Sequence, residues 1–346
     1  MGKVYVRDVL AALDDLTNGR CITSPTDYSS GKNRFVITKS SGIPGKAVTE
    51  TPGLVFGDAD MEVKKIAVMM TLTESAIELA AATGVNVIIT HHPVADACNS
   101  GGVLLKTYLG LYGIAVFEVH EAFHGLHPGI PWLHGHKPIY SNIAYGGIPG
   151  NIVYIGEVLP EIHTIGDIIH RLDSFMDLET EDHILQAVRK YRRCPNVEET
   201  SMAVRGRILV GTEDAPVKKL IHIFPHTGVL PDHIRELVKE YPDVDTILAS
   251  ISRVYEGHPL IDVAKELNLN FICGNSHAME IYENGIPLAS AIKAHLPSVD
   301  VVIFREKITS IPLSDVGTEA IRKYGNDISN GYLHSNMYKA SNKRFQ

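Results

Sequence analysis

Residues 63–93 read VKKIAVMMTLTESAIELAAATGVNVIITHHP, and this stretch decides the fold class. Val63 to Met70 is a strand-like apolar run. Thr71-Leu72-Thr73-Glu74 has capping-box spacing, and the Ala-rich helix behind it ends at Gly84, a residue free to take the left-handed conformation that closes a helix. Val85 to Thr90 is a continuous, β-branched run of the kind buried on both faces of a parallel sheet. Further on, a helix over about 103–112 stops at Gly113, and IAVFEV (114–119) is the next strand. Strand, helix, strand, helix, strand implies right-handed crossovers and a parallel sheet covered on both faces.

The order recurs. VKK (217–219) opens LIHIF (220–224), a helix follows over about 230–240, then DTILAS (245–250), a helix over about 259–268 and LNFIC (269–273). LGLYGIAVFEVH (109–120) and ELNLNFICGNSH (266–277) both run helix end, turn residue, strand, histidine, so that Gly113 matches Asn270 and His120 matches His277. Two matches in one order suggest a duplicated unit. The expected fold class is therefore α/β, with two similar α/β/α units and mostly parallel sheets. NIVYIGEVLP (151–160), a helix from Thr164 to Ser174 and AVRGRILVG (203–211) are assigned to the second half. The expected division is 1–145 for the first half, 146–306 for the second and 307–346 for a polar extension without a readable role. Residues 20–52 lack periodicity and read as a loop insertion. Its Arg20, Lys32, Arg34, Lys39 and Lys46 are expected to be ordinary solvated charges rather than a phosphate-attracting lid.

Composition narrows the function classes. The 346 residues are 45% apolar and 21% charged, as expected of a soluble globular chain with one or two sizeable cores. A net charge of −8 disfavours nucleic acid and anionic membranes as partners. No apolar run reaches the ~20 residues of a membrane span, and the N-terminal MGKVYVRDVLAALDDL reads as a helix rather than a signal peptide. Cys21, Cys98, Cys194 and Cys273 are scattered without paired spacing, which fits reduced thiols and a cytoplasmic location.

Histidine is the exception to this ordinariness. It occurs 17 times, and seven of these lie between His91 and His136. In open parallel sheets, ligands bind beyond the carboxyl ends of the strands, and three such ends carry histidine. His91-His92-Pro93 follows the strand ending at Thr90. His120 follows the next strand, with His124 one helical turn on. His277 follows LNFIC, with Glu280 three residues later on a helix expected to continue through Ile292. Taken singly, each fits a hydrogen-bonded loop residue. Three strand ends together point to a site for one or two divalent transition ions (Zn, Fe, Mn, Ni or Co), since imidazole and carboxylate are their ligands. The candidate ligands are His91, His92, His120, His124, His277 and Glu280, and the candidate proton shuttle is Glu280 or a nearby histidine that holds no metal.

With Gly53-Leu54-Val55-Phe56-Gly57-Asp58, Thr-His-His-Pro, the Val-His segment and a late His…Glu run before GIPLASAI, the chain resembles the Nif-three-like family over most of residues 3–17 and 53–306. The resemblance implies a two-domain α/β protein with a dinuclear metal centre, commonly a toroidal hexamer and often described as a GTP cyclohydrolase type 2 homologue. It implies hydrolase-like chemistry by metal-activated water on a nucleotide such as GTP or a small phosphorylated ligand. The family's motif carries an aspartate where this chain has His124, Asp-Asn where it has Thr51-Pro52, and a further Asp where it has Thr71. Exchanging a carboxylate for imidazole removes a negative charge and a bridging ligand. The alternative is therefore a non-catalytic, metal-binding oligomeric scaffold or regulatory protein.

Four further histidines are assigned away from the site. His222 and His226 flank the strand end at Phe224-Pro225 and are expected to be structural. His134 and His136 are expected to be solvent-facing loop residues. GIPGKA (42–47) lacks the spacing of a phosphate loop and reads as a turn.

Overall fold

The computed structural model describes residues 2–305 apart from 25, 28–29, 41–43, 46, 95–104, 125–126, 128, 177 and 184–202, together with 314, 319 and 323. The chain forms two compact units, residues 1–181 with 198–306, and residues 182–197 with 307–346. Few residues of the second unit are described, and Lys46, Cys98 and Cys194 also lie outside the described residues.

The first unit opens with the helix Val6–Leu16 and a hairpin of β1 (Ile37–Ser40) and β2 (Ala47–Glu50). That hairpin corrects the loop reading of 20–52. Thr38 and Thr49 face each other across it, joined by a hydroxyl contact of 2.9 Å, and such cross-strand pairs hold a short ladder that shows little hydrophobic alternation in sequence.

Two sheets follow. The first contains β3 (Gly53–Phe56), β4 (Lys65–Met69), β5 (Val87–Thr90) and β6 (Ala115–Glu118). The second contains β7 (His136–Asn142), β8 (Val153–Val158), β9 (Arg207–Val210), β10 (Lys219–Ile223), β11 (Thr246–Ile251) and β12 (Asn270–Ser276). Last, β13 (Asp300–Ile303) returns to the first sheet, giving the orders β13-β4-β5-β6-β3 and β7-β8-β10-β11-β12-β9. In each, three parallel strands (β4-β5-β6 and β10-β11-β12) are closed on one side by an antiparallel edge strand, β3 or β9. The repeat expected from the sequence is this shared pattern.

Sheet membership crosses the expected boundary at residue 145 in both directions. β7 precedes it yet pairs with β8, and β13 lies far beyond it yet runs parallel to β4. The outer backbone groups of β4 need partners. The helix Ile286–His295 brings the chain back by burying Leu288, Ala289 and Ile292 against Ile66, Val68 and Val87. β5 and β6 are buried along their whole length, as their unbroken apolar runs require. The helix Glu74–Thr83 starts where Thr73 Oγ1 accepts from the Ala76 N–H and stops at Gly84 in the left-handed region, φ 73°.

Candidate metal centre

The carboxyl ends of β5, β6 and β12 present the histidines. Backbone pairing with the chain after β4 continues past β5, because His91 N–H donates to Met69 O at 3.0 Å and His92 N–H to Met70 O at 2.9 Å. Both histidines are therefore held by the sheet rather than by a free loop. After β6, a single helical turn, His120–Phe123, sets His124 one turn from His120, with His124 N–H donating to His120 O at 3.2 Å. That spacing puts both rings on one side. After β12 the chain does not enter a plain α-helix as expected. A 3₁₀ turn at His277–Met279 leads into a π-helix at Ile281–Gly285 before the α-helix begins. The wider π turn buries Glu280, Glu283 and Asn284 together, and such segments recur at functional sites.

All six predicted groups converge. His91 Nε2 lies 3.2 Å from His124 Nε2 and 3.5 Å from Glu280 Oε1. Glu280 Oε2 lies 3.2 Å from His92 Nε2 and 3.3 Å from His277 Nε2. His92 and His277 are stacked with ring centroids 5.2 Å apart. Two sets of donor atoms each lie within 4.8 Å of one another: His91, His120 and His124, and His91, His92 and Glu280. His91 belongs to both sets.

The cluster suits a cation in spacing and in protonation. Two donors about 2.05 Å from a tetrahedral ion stand roughly 3.3 Å apart, close to the contacts around His91 and Glu280. Burial holds the His91 imidazole well below its ordinary pKa, and the neighbouring His124, His120 and His92 rings add to this. His124 is lowered likewise, by burial and then by His120, against an opposing pull from Glu280. Burial pushes the Glu280 carboxyl up, but His92, His277 and His124 outweigh it and hold it at about 2. Neutral imidazoles beside an ionised carboxylate are the ligand forms a divalent ion requires. Among the described residues, His91 Nδ1 and His124 Nδ1 are buried without a hydrogen-bond partner. The His/Glu cluster can hold a metal ion.

Partners that the sequence did not reveal orient these groups. His120 Nδ1 meets Glu50 Oε2 at 3.1 Å, and His92 Nδ1 meets the Thr71 hydroxyl at 2.7 Å. Asn284 Nδ2 donates to Glu280 Oε1 at 3.2 Å, while its Oδ1 meets His127 Nε2 at 3.1 Å. Thr71 and the residue before Thr51-Pro52 thus occupy the surroundings of the site even where expected aspartates are absent. Arg20 is not a solvated lid charge either. Its guanidinium donates to the carbonyls of Ala122 at 3.2 Å and His124 at 3.4 Å, tying residues 20–52 to the histidine-bearing turn.

A second histidine group lies buried in the core, which corrects the solvent-facing reading of His134 and His136. His136 Nε2 contacts His222 Nδ1 at 2.9 Å, and His222 Nε2 contacts Ser250 Oγ at 2.6 Å. His136 Nδ1 has no partner among the described residues. An unpaired N–H costs more than an unpaired lone pair, so His136 Nε2–H donates to His222 and His222 Nε2–H donates to Ser250. His134 Nδ1 donates to Ile130 O at 2.9 Å and its Nε2 accepts from the Asn275 N–H at 3.1 Å.

A cavity of 280 Å³ opens on the first cluster. His92, His120, His124, His277 and Glu280 line it together with Ile152, Phe224, Ile251 and His226. His226, expected to be structural, therefore borders the site. Ile251 sits in the left-handed region at φ 65°, a costly conformation for a β-branched residue.

Residues 40–96 match the family model described as Duf34/NIF3 (NGG1p interacting factor 3), so the Nif-three-like resemblance holds. Reduced HcgD from Methanocaldococcus jannaschii is similar in structure, with a TM-score of 0.51 at 16% identity over 88% of this chain and 98% of its own. Protein SA1388 of Staphylococcus aureus gives 0.52 at 16% over 88% and 97%. A Bacillus cereus protein related to NIF3 gives 0.50 at 13% over 90% and 99%. At these identities the likeness is one of fold. No curated protein matches the sequence. Among the described residues, no helix is long and apolar enough to cross a membrane.

Proposed function

We propose that this protein is a metal-dependent, hydrolase-like enzyme acting on a nucleotide such as GTP or a small phosphorylated compound. The observation that carries the reading is the meeting of His91, His92, His120, His124, His277 and Glu280 at ligand spacing beside a cavity of 280 Å³. In this reading those six side chains hold one or two divalent transition ions. A divalent ion bound there supplies Lewis acidity, lowering the pKa of water from 15.7 toward about 7 and polarising a phosphoryl oxygen. Glu50 and Thr71 orient His120 and His92. The apolar wall around Phe224 and Ile152 excludes water from the body of the substrate. Assembly of identical chains into a hexameric ring in the cytoplasm belongs to the same proposal, and light scattering of the purified protein tests the ring.

A second reading, a metal-binding scaffold or regulator without turnover, is favoured by His124 standing where a bridging carboxylate is expected. Metal analysis and turnover separate the two. The purified protein should carry at least about half an equivalent of a transition metal, lost in the His91→Ala, His92→Ala double variant. Incubating metal-loaded protein with GTP and a phosphoester panel should release product, and none from the double variant. Metal without turnover leaves the scaffold; neither leaves no metal centre.

A further inference from the structure

Hydrolysis needs a group that takes a proton from the attacking water and returns it to the leaving oxygen. Glu280, one of the sequence candidates, is poorly placed for this. Its Oε2 is buried and lies 3.2 Å from His92 and 3.3 Å from His277, while its Oε1 accepts from Asn284 at 3.2 Å and faces His91 at 3.5 Å. The carboxylate is enclosed by the groups it serves as a ligand partner.

Among the titratable side chains bordering the cavity, His226 alone stands outside the His/Glu cluster. Its backbone is firmly held. It sits on the 3₁₀ turn Pro225–Thr227 after β10, its N–H donates to Ser252 Oγ at 3.0 Å, and Gly228 ends the turn in the left-handed region, φ 110°. The neighbouring Thr227 hydroxyl donates to Phe224 O at 2.7 Å. No hydrogen bond to the His226 imidazole is made by the other described residues. A held backbone carrying a ring that borders the cavity outside the His/Glu cluster is the arrangement expected of a proton carrier rather than of a core histidine.

We propose that His226 is the proton-transfer residue of this site, a step that rests on the hydrolase reading above. Water attacks phosphorus while one of its protons passes to the His226 imidazole. The new O–P bond forms as the bond to the leaving oxygen breaks, and the imidazolium returns its proton to that oxygen. Burial lowers the His226 pKa, with His277, His120 and His92 acting the same way and Glu280 against them.

The test uses full-length, metal-loaded protein with GTP and 4-nitrophenyl phosphate as probes. His226→Gln should lower kcat about 10²- to 10⁴-fold with KM within a few-fold of wild type and bound metal unchanged. Added imidazole should restore part of the activity to His226→Ala. Inorganic phosphate should raise the pKa of the His226 ring, followed by NMR in the Zn-loaded chain. His226→Gln turnover within about threefold of wild type overturns the proposal while leaving the hydrolase reading intact. So does a His226 resonance that phosphate does not move. Absence of turnover by the wild type overturns both.

Discussion

At the scale of single residues, the candidate centre depends on side chains that touch no ion themselves. Glu50 is the clearest. It ends β2 and meets His120 Nδ1 at 3.1 Å, the carboxylate–histidine arrangement that fixes a tautomer and raises ligand basicity. Glu50→Gln should weaken metal binding about 10- to 100-fold without changing the urea midpoint of the metal-free protein, as read by competition with a chromophoric chelator. Gly156 acts in the opposite way, by lacking a side chain. A Cβ there would collide with the His136 ring, which is held by His222 and cannot swing aside. Gly156→Ala should cost about 1–3 kcal/mol of stability, measured by urea unfolding. The sequence singled out the six converging groups from their strand ends, yet not Glu50, which belongs to a hairpin with no apolar alternation. His134 and His136 were misplaced because a Gly-rich surrounding suggests a loop. Here Gly156 and Gly274 instead make room for buried rings.

At the scale of elements, the helix Glu74–Thr83 was legible because its signals are local, a threonine before it and Gly84 after it, although the cap is Thr73 and not the expected Thr71, whose hydroxyl meets His92 instead. Thr73→Ala removes the acceptor for the Ala76 N–H, 3.2 Å away, and should cost about 1 kcal/mol. Circular dichroism in urea measures this loss, and the metal content should remain unchanged. The π-helix at Ile281–Gly285 was not legible. Its residues read as an ordinary helix, and the widened turn is sustained by distant partners. Glu283 accepts from Asn275 Nδ2 at 3.0 Å, and the Tyr282 hydroxyl donates to Glu181 Oε1 at 2.7 Å. The hairpin of β1 and β2 was missed for a similar reason, since four-residue strands leave too little pattern to count.

At the scale of the whole molecule, buried histidine links stability to pH. Burial lowers the pKa of His134 to about 4 and holds His136 and His222 well below the ordinary value. The unfolded chain therefore binds more protons than the folded one once pH drops below about 6.5, and stability falls with acidification. Each such imidazole contributes up to about 1.4 kcal/mol per pH unit. Glu283 opposes this, because burial and Glu280 raise its pKa and the folded state then holds the extra proton above pH 4.5. In the metal-free protein burial lowers His91, His124 and His127 as well, and these imidazoles together outweigh the raised Glu283 and Glu118 carboxyls. The urea midpoint of the metal-free protein should fall steadily from pH 7 to 5, with His222→Asn flattening the slope. Binding to the folded state alone stabilises by mass action, so chelation should lower the Tm of the metal-loaded protein in proportion to the metal removed.

The sequence by itself determined the parallel strands, their helices and the placing of His91, His92, His120, His124, His277 and Glu280 at strand ends. Those properties follow from apolar runs, caps and turns within about ten residues of one another. Only the tertiary structure decided that the strand ends of two sheets face one cavity, that Glu50 and Thr71 brace the ligands, and that His226 borders the cavity while His134, His136 and His222 are enclosed. Each of these depends on groups far apart in the chain, brought together by burial of the apolar clusters that flank the two sheets. No local pattern encodes which ring meets which.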